Sequence, residues 1–294
     1  MSLKKGLVGQ VSNIVKEFIR AERMPRDHAE RAFEVASEHA RALPRDGILE
    51  ALDRATRGSR SLQRGGIYFL CELYDVPGAV ERIANELQHP DPAIRSLIVQ
   101  TIGFREMRGL APLLNAVILE DPDELCRVAA IDAAGRLKQD ANLEAILRVA
   151  GDPSVDGAVI SALAMYARKE CRPYLRAAFD RPIGAAPSIA EMEDVNNPDA
   201  IRRVQSWSVR RNNKLFAAWG LARLGDIGAL KHLGEMLYDP ERRGRNVWEP
   251  GLSVRAAEAI ADVCVLPFSW DPGSLAAVRL WWEENRERAL CVRG

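Results

Sequence analysis

An aspartate-proline step recurs along this chain at the interval of one helical hairpin, and it restricts the available folds more than any other feature. It occurs at Asp91-Pro92, Asp121-Pro122, Asp152-Pro153 and Asp239-Pro240. The first three aspartates stand 30 and 31 residues apart, and Asp180, in Asp180-Arg181-Pro182, falls 28 beyond Asp152. Aspartate caps a helix by accepting backbone N–H bonds. Proline suits the first helical turn, where its missing N–H would have no partner anyway. Each step therefore predicts a helix start, and the fixed period predicts stacked units that share one core.

A second recurrence follows each start. A polar or charged residue is succeeded by small or apolar residues three, six and seven positions later, then by Gly or Ala at eight. Arg95, Ile98, Thr101, Ile102 and Gly103 show it, as do Arg127, Ala130, Ala133, Ala134 and Gly135. Asp156, Val159, Ala162, Leu163, Ala164 and Lys214, Ala217, Gly220, Leu221, Ala222 keep the same spacing. Offsets of three and seven lie on one helical face. Small residues there admit a partner helix closely, and a second apolar helix is predicted over 109–119, 142–150, 172–179 and 227–238.

These residues resemble the HEAT-repeat family, particularly its short bacterial form, the phycobilisome-lyase-type HEAT-like repeat. The resemblance rests on Asp-Pro, on a Val-Arg-like pair at Ile94-Arg95, Cys126-Arg127 and Val254-Arg255, and on the turn Arg223-Leu224-Gly225-Asp226. It covers roughly residues 60 to 265 and implies an all-α solenoid of stacked antiparallel helix pairs. The arginine is replaced at Asp156 and Lys214, so an Asp-Arg ladder between repeats is expected to be interrupted there.

Outside the repeats, three helical stretches near 7–22, 27–43 and 45–57 read as an N-terminal cap. A helix over 273–290, ending in a charged run from Glu283 to Arg288, reads as a C-terminal one. The expected organisation is one continuous solenoid: a cap over 1–58, repeats over 59–265 and a capping helix over 266–294. Insertions break the period near 182–209, with Pro182, Pro187, Asn196, Asn197 and Pro198, and near 241–253, with Arg242, Arg243, Arg245 and Trp248. Such insertions map to loops on one face, often the binding face.

Forty-one basic and forty-one acidic residues give a net charge of +0, which argues against a strongly basic nucleic-acid binder. The first residues make a poor signal peptide, because Gln10, Ser12, Asn13 and Lys16 interrupt their apolar stretch. No apolar run reaches the roughly 18 residues of a membrane span. The five cysteines are odd in number and widely spaced, which fits a reducing cytoplasm and no disulfide framework. His28, His39, His89 and His232 have no partners at ligand spacing, so no metal or cofactor is expected. No phosphate loop, dinucleotide fingerprint or nucleophile elbow occurs. Cys71 and Cys126 fall on core offsets, and Glu191, Glu193 and Asp194 are carboxylates without an assignable catalytic role. No catalytic residue is assigned.

The asymmetry that suggests function is C-terminal. All six tryptophans follow residue 206, and between residues 195 and 255 eleven Lys or Arg face six Asp or Glu. Arg and Trp are enriched at binding hot spots. The candidate contact surface is Arg202, Arg203, Trp207, Arg210, Arg211, Lys214, Arg242, Arg243, Arg245 and Trp248. The expected function is a non-catalytic scaffold that binds a protein partner, acidic at this surface, with neither nucleic acid nor membrane as its target. Two alternatives follow from resemblance alone: a nucleic-acid binder similar to the HEAT-like alkylpurine DNA glycosylases, and a bilin lyase or bilin chaperone.

Overall fold

The computed structural model describes residues 2–57, 59–194, 196–239, 251–269 and 272–291, and no strand occurs among them. Three helices open the chain: α1 (Ser2–Glu22), α2 (Arg26–Ala42) and α3 (Ile48–Ala55). Helix pairs follow: α4 (Arg60–Glu72) with α5 (Ala79–Glu86), α6 (Pro92–Phe104) with α7 (Leu114–Glu120), and α8 (Glu124–Leu137) with α9 (Asp140–Arg148). Next come α10 (Asp156–Tyr166) with α11 (Arg172–Asp180) and the short α12 (Ile189–Glu193). Then α13 (Pro198–Arg223) pairs with α14 (Ile227–Met236), and α15 (Leu252–Cys264) with α16 (Pro272–Cys291). Short 3-10 segments, Arg108–Leu113 and Lys169–Cys171, lead into α7 and α11. The architecture is the expected all-α solenoid of stacked pairs.

Residues 1–148 and 149–294 form two compact units. In the first, α1 packs against α2, α3 and α4, and the first helices of successive pairs stack, α4 on α6 and α6 on α8. In the second, α10 stacks on α13 and α13 on α15, with α11 and α14 against α13 and α16 against α14 and α15. The stacking faces are the small and apolar ones expected: Ile98, Ile102, Ala130, Ala134, Val159, Leu163, Ala217 and Leu221 are all buried. Gly103 shows why smallness is needed, since a Cβ there would lie 2.7 Å from the Ala133 Cβ and 2.8 Å from its Cα. At Gly220 an added Cβ would stand 2.8 Å from the Ala164 Cα.

The aspartates divide their work differently from the expectation that each opens a helix. Asp91 does cap α6: its carboxylate accepts the Ala93 N–H at 2.9 Å, and Pro92 takes the first helical position. Asp121 does not cap α8. Asp123, two residues on, accepts the Cys126 N–H at 2.9 Å, while Asp121 ends α7 and receives Arg95. Asp152 accepts the Ser154 N–H and hydroxyl, at 2.9 and 2.7 Å, and α10 starts only at Asp156. An aspartate already occupied by an arginine or by its own turn is unavailable as a cap, so the helix begins later.

Arg95, on α6, ties the end of its partner helix α7 to the segment that leads into α6. Its Nε and Nη2 donate to the two Asp121 oxygens at 2.8 and 2.7 Å, and its Nη1 donates to the His89 carbonyl at 2.7 Å. The interruption expected at Lys214 is bridged one helical turn earlier, where buried Arg211 pairs with Asp239. Asp156, the other interruption, accepts from Arg181 at 2.5 Å.

In five of the six pairs a left-handed residue follows the end of the first helix. These are Glu106, Lys138, Ala167, Gly225 and Val265, with φ of 49°, 52°, 46°, 85° and 57°. Three of these turns close with the amide five residues beyond its acceptor: Met107 to Ile102 at 3.0 Å, Asp226 to Leu221 at 3.0 Å, and Leu266 to Ala261 at 2.8 Å. Of the five, only Gly225 is the residue that adopts this conformation without steric cost.

Candidate partner-binding surface on the long helix

The stretch read as an insertion over 182–209 divides into α12 and the first half of α13. Asn197 starts α13 by accepting the Asp199 and Ala200 N–H groups at 3.0 and 3.3 Å, with Pro198 in the first turn. The helix then runs for 26 residues, about twice the 13 of α6 or α15. Its second half is the repeat helix, buried at Leu215, Ala217, Ala218, Gly220, Leu221 and Ala222. Between residues 198 and 210 only Ala200 is buried.

That first half is an exposed basic arm. At 100° per residue, Arg202, Arg203, Ser206, Val209 and Arg210 fall within an arc of about 120°, and all five are exposed. Arg202 pairs with Asp199 one turn away, and Arg203 donates to the Glu191 carboxylate at 2.7 Å. Arg210 donates to the Ser206 carbonyl and hydroxyl at 3.3 and 3.1 Å. Side chains this exposed hold such pairs weakly, so an incoming ligand can compete for them.

The other expected contact residues are placed differently. Arg211 is buried in its pair with Asp239, its guanidinium 4.4 Å from the centre of the half-buried Trp207 ring. It anchors the arm and is not available to a partner, which corrects its assignment to the contact surface. Lys214 lies 5.0 Å from the Phe179 ring centre, where Arg176 also stands at 5.3 Å and His232 meets the ring edge-on. Arg242, Arg243, Arg245 and Trp248 lie outside the described residues. Of the remaining tryptophans, Trp219 donates to Asp262 at 2.8 Å, and Trp282 is buried against Gly234. The interior residue of the Trp281-Trp282 pair is thus the second, because that position faces α14.

Glu191 has a structural role. With Ser188 it forms a reciprocal cap on α12, accepting the Ser188 N–H at 2.8 Å while Ser188 Oγ accepts the Glu191 N–H at 3.3 Å. The Ser188 amide, followed by the Ser188 hydroxyl, holds its carboxyl below the usual range. The buried thiols of Cys71 and Cys126 are both pushed up to about 12, chiefly by burial, and are protonated at neutral pH. Among the described residues no group of three or more His, Cys, Asp or Glu stands close enough to hold a metal ion.

Comparison with known proteins adds the family. Residues 80–164 match the family model described as HEAT repeats. No curated protein matches the chain. Among solved structures, human deoxyhypusine hydroxylase in complex with glycerol aligns over 98% of this chain and 94% of its own, at 14% identity and a TM-score of 0.31. Overlap at that score carries no argument about activity. The segment 80–164, from α5 into α10, is built of HEAT repeats.

Proposed function

We propose that the protein is a non-catalytic helical-repeat scaffold that recognises an acidic protein partner through the basic arm of α13. One observation carries the reading: thirteen residues of continuous helix, 198–210, bury a single alanine while presenting Arg202, Arg203 and Arg210 on one side around the exposed Val209. A helix that gains so little from its own fold is held ready for something else to cover it. From residue 198 to 214 five basic residues face one acidic residue, and one of the five, Arg211, is neutralised internally. The remaining field attracts carboxylates, and guanidinium groups bind them in two-pronged fashion.

A protein partner is favoured over nucleic acid because the whole chain is electrically neutral and would lose affinity to a phosphate backbone beyond this short stripe. No helix among the described residues is long and apolar enough to cross a membrane. A reducing cytoplasm is supported by Cys71, Cys126 and Cys171, which are buried as thiols.

The test is affinity capture from the source organism's lysate with the wild type, the double variant Arg202→Glu/Arg210→Glu, and Arg148→Glu as an equally exposed control. The expected outcome is a partner whose retention falls with salt, is lost in the double variant and survives in the control. The thermal melt should stay unchanged, because such exposed side chains contribute little to folding. Retention of that partner by the double variant at unchanged salt dependence overturns the proposal. The sequence expectation for the second insertion adds that Arg242→Glu/Arg243→Glu/Arg245→Glu weakens the same partner, and that Trp248→Ala weakens it without altering its salt dependence.

A further inference from the structure

The last helix of the second unit carries a stripe that repeats the arm of α13 in opposite charge. At 100° per residue, Ala276, Leu280, Glu283, Glu284 and Glu287 of α16 fall within an arc of about 100°, and all five are exposed. Leu280 is 58% exposed, a large apolar side chain left in water on a helix whose inner face is closed by Val278 and Trp282. Arg286 and Arg288 fall outside that arc, one on each flank, and Arg279 donates to the Leu237 carbonyl at 2.9 and 2.6 Å. Within the arc every charge is negative. Glu283 and Glu287 stand four residues apart, a like-charge spacing that weakens a helix. Glu283 accepts the Tyr238 hydroxyl at 2.9 Å, while the carboxylates of Glu284 and Glu287 have no partner among the described residues.

The two stripes match in length and pattern. Arg202 to Arg210 spans about 12 Å along α13, and Leu280 to Glu287 about 10 Å along α16. Arg202, Ser206 and Val209 follow the i, i+4, i+7 spacing of a packing seam, as do Ala276, Leu280 and Glu283. When the helices are set antiparallel with Val209 against Leu280, Arg202, seven residues before Val209, comes opposite Glu287, seven residues after Leu280. Among the described residues no ion pair joins the stripes within one chain, since Arg202 pairs with Asp199 and Arg203 with Glu191.

We infer that the acidic partner of the α13 arm is a second copy of this chain, which docks its α16 stripe there. The inference rests on the reading of the arm as a receptor for carboxylates and adds the identity of what covers it. Net charge +0 fits, because neutral copies do not repel one another at long range while opposite local fields steer them together. Two stripes this short bury less than a standard interface, so the association is weak and sensitive to salt.

The experiment is sedimentation velocity of the full chain over a concentration series into the millimolar range. It is run in about 0.01 M and about 1 M sodium chloride, between which the screening length falls from about 30 to about 3 Å. Association that grows with concentration at low salt and weakens about tenfold or more at high salt is expected. Arg202→Glu/Arg210→Glu and Glu284→Lys/Glu287→Lys should each stay monomeric with a wild-type melt, since each sets like charges against like. Mixed in equal amounts, the two variants should associate again, because each stripe then meets its opposite on the other variant. A wild type that stays monomeric at low salt overturns the inference. If that monomer still captures a different acidic protein through the arm, the reading of the arm stands and the second copy alone falls. A mixture that stays monomeric, or single variants that associate as the wild type does, overturns it as well.

Discussion

Arg95 and Asp121, 26 residues apart, form a two-pronged ion pair in which both partners are out of water, with side chains 9% and 4% exposed. The pair ties α6, the first helix of one repeat, to the end of α7, the second helix of the same repeat. Removing either partner strands the other in the interior. Arg95→Ala and Asp121→Ala should therefore each cost about 3 to 5 kcal/mol, measured by denaturant unfolding. The double variant should recover much of that loss. Additive losses would show that the two residues do not act as a unit.

The same pair sets an acid limit. Burial pushes the Asp121 carboxyl up, but the hydrogen bonds from Arg95 and the Asp123 amide, with the charges of Arg95 and Arg127, hold it below 3.8. A lowered native value means the unfolded chain binds the proton more readily. The contribution is thus present above 3.8 and lost as pH falls through the lower native value. Wild type and Asp121→Asn should differ most near neutrality and converge below pH 3.8, as read from stability against pH.

His232 should act with the same sign, although its favoured deprotonated form is neutral where that of Asp121 is charged. Burial first, and the neighbouring Lys214 charge second, lower its value below 6.5, and its Nε2 is buried without a hydrogen-bond partner. Glu235, at 3.5 Å, offsets this only in part. The neutral ring is favoured in the fold, so its contribution is complete above 6.5 and lost as pH falls through the lower native value. His232→Phe, packed edge-on against Phe179, should remove the stability loss that wild type shows below pH 6.5. An unchanged slope in that range would refute the assignment.

Glycines should divide by what a methyl group would meet. Gly9, in α1, has nothing within 4 Å of its Cβ position, so Gly9→Ala should gain up to about 1 kcal/mol from helix propensity. Gly103→Ala should lose about 1 to 3 kcal/mol despite the same propensity gain, because the methyl would drive α6 off α8 at Ala133. Leu163→Ala, at a fully buried site, should cost about 2 to 5 kcal/mol, against little for Glu287→Ala on the exposed side of α16.

The intra-pair turns offer stabilising changes. Val265 is 87% exposed at φ 57°, a β-branched residue in the left-handed region, where an L side chain costs roughly 1 to 2 kcal/mol. Val265→Gly should raise stability by about 1 kcal/mol after the entropy glycine adds to the unfolded chain. Gly225→Ala, the reverse change in the equivalent turn, should lower it.

The repeat was legible because its signals are local. Spacing from Arg95 to Gly103 places a stacking face without any knowledge of the partner helix. The caps at Asp121 and Asp152 were not, because a carboxylate caps its own helix only if neither a distant arginine, as at Asp121, nor its own turn, as at Asp152, occupies it first. For the same reason Lys214 looked like a gap, although Arg211 one turn earlier fills it. The arm of α13 was hidden by its exposure: a helix with almost no buried face leaves no apolar period to read, and only the Asn197-Pro198 start betrays it.

The 26 residues of α13 make a rod about 39 Å long. Its C-terminal half is clamped among α10, α11, α14 and α15, and its N-terminal half, touched by the short α12, extends about 18 Å beyond the clamp at Arg211. In mechanical terms it is a cantilever. A load at Arg202 acts with a long moment arm on the fulcrum made by Arg211, Trp207 and Asp239. Tension on the tip would thus be felt first as a tilt of one repeat helix against its neighbours.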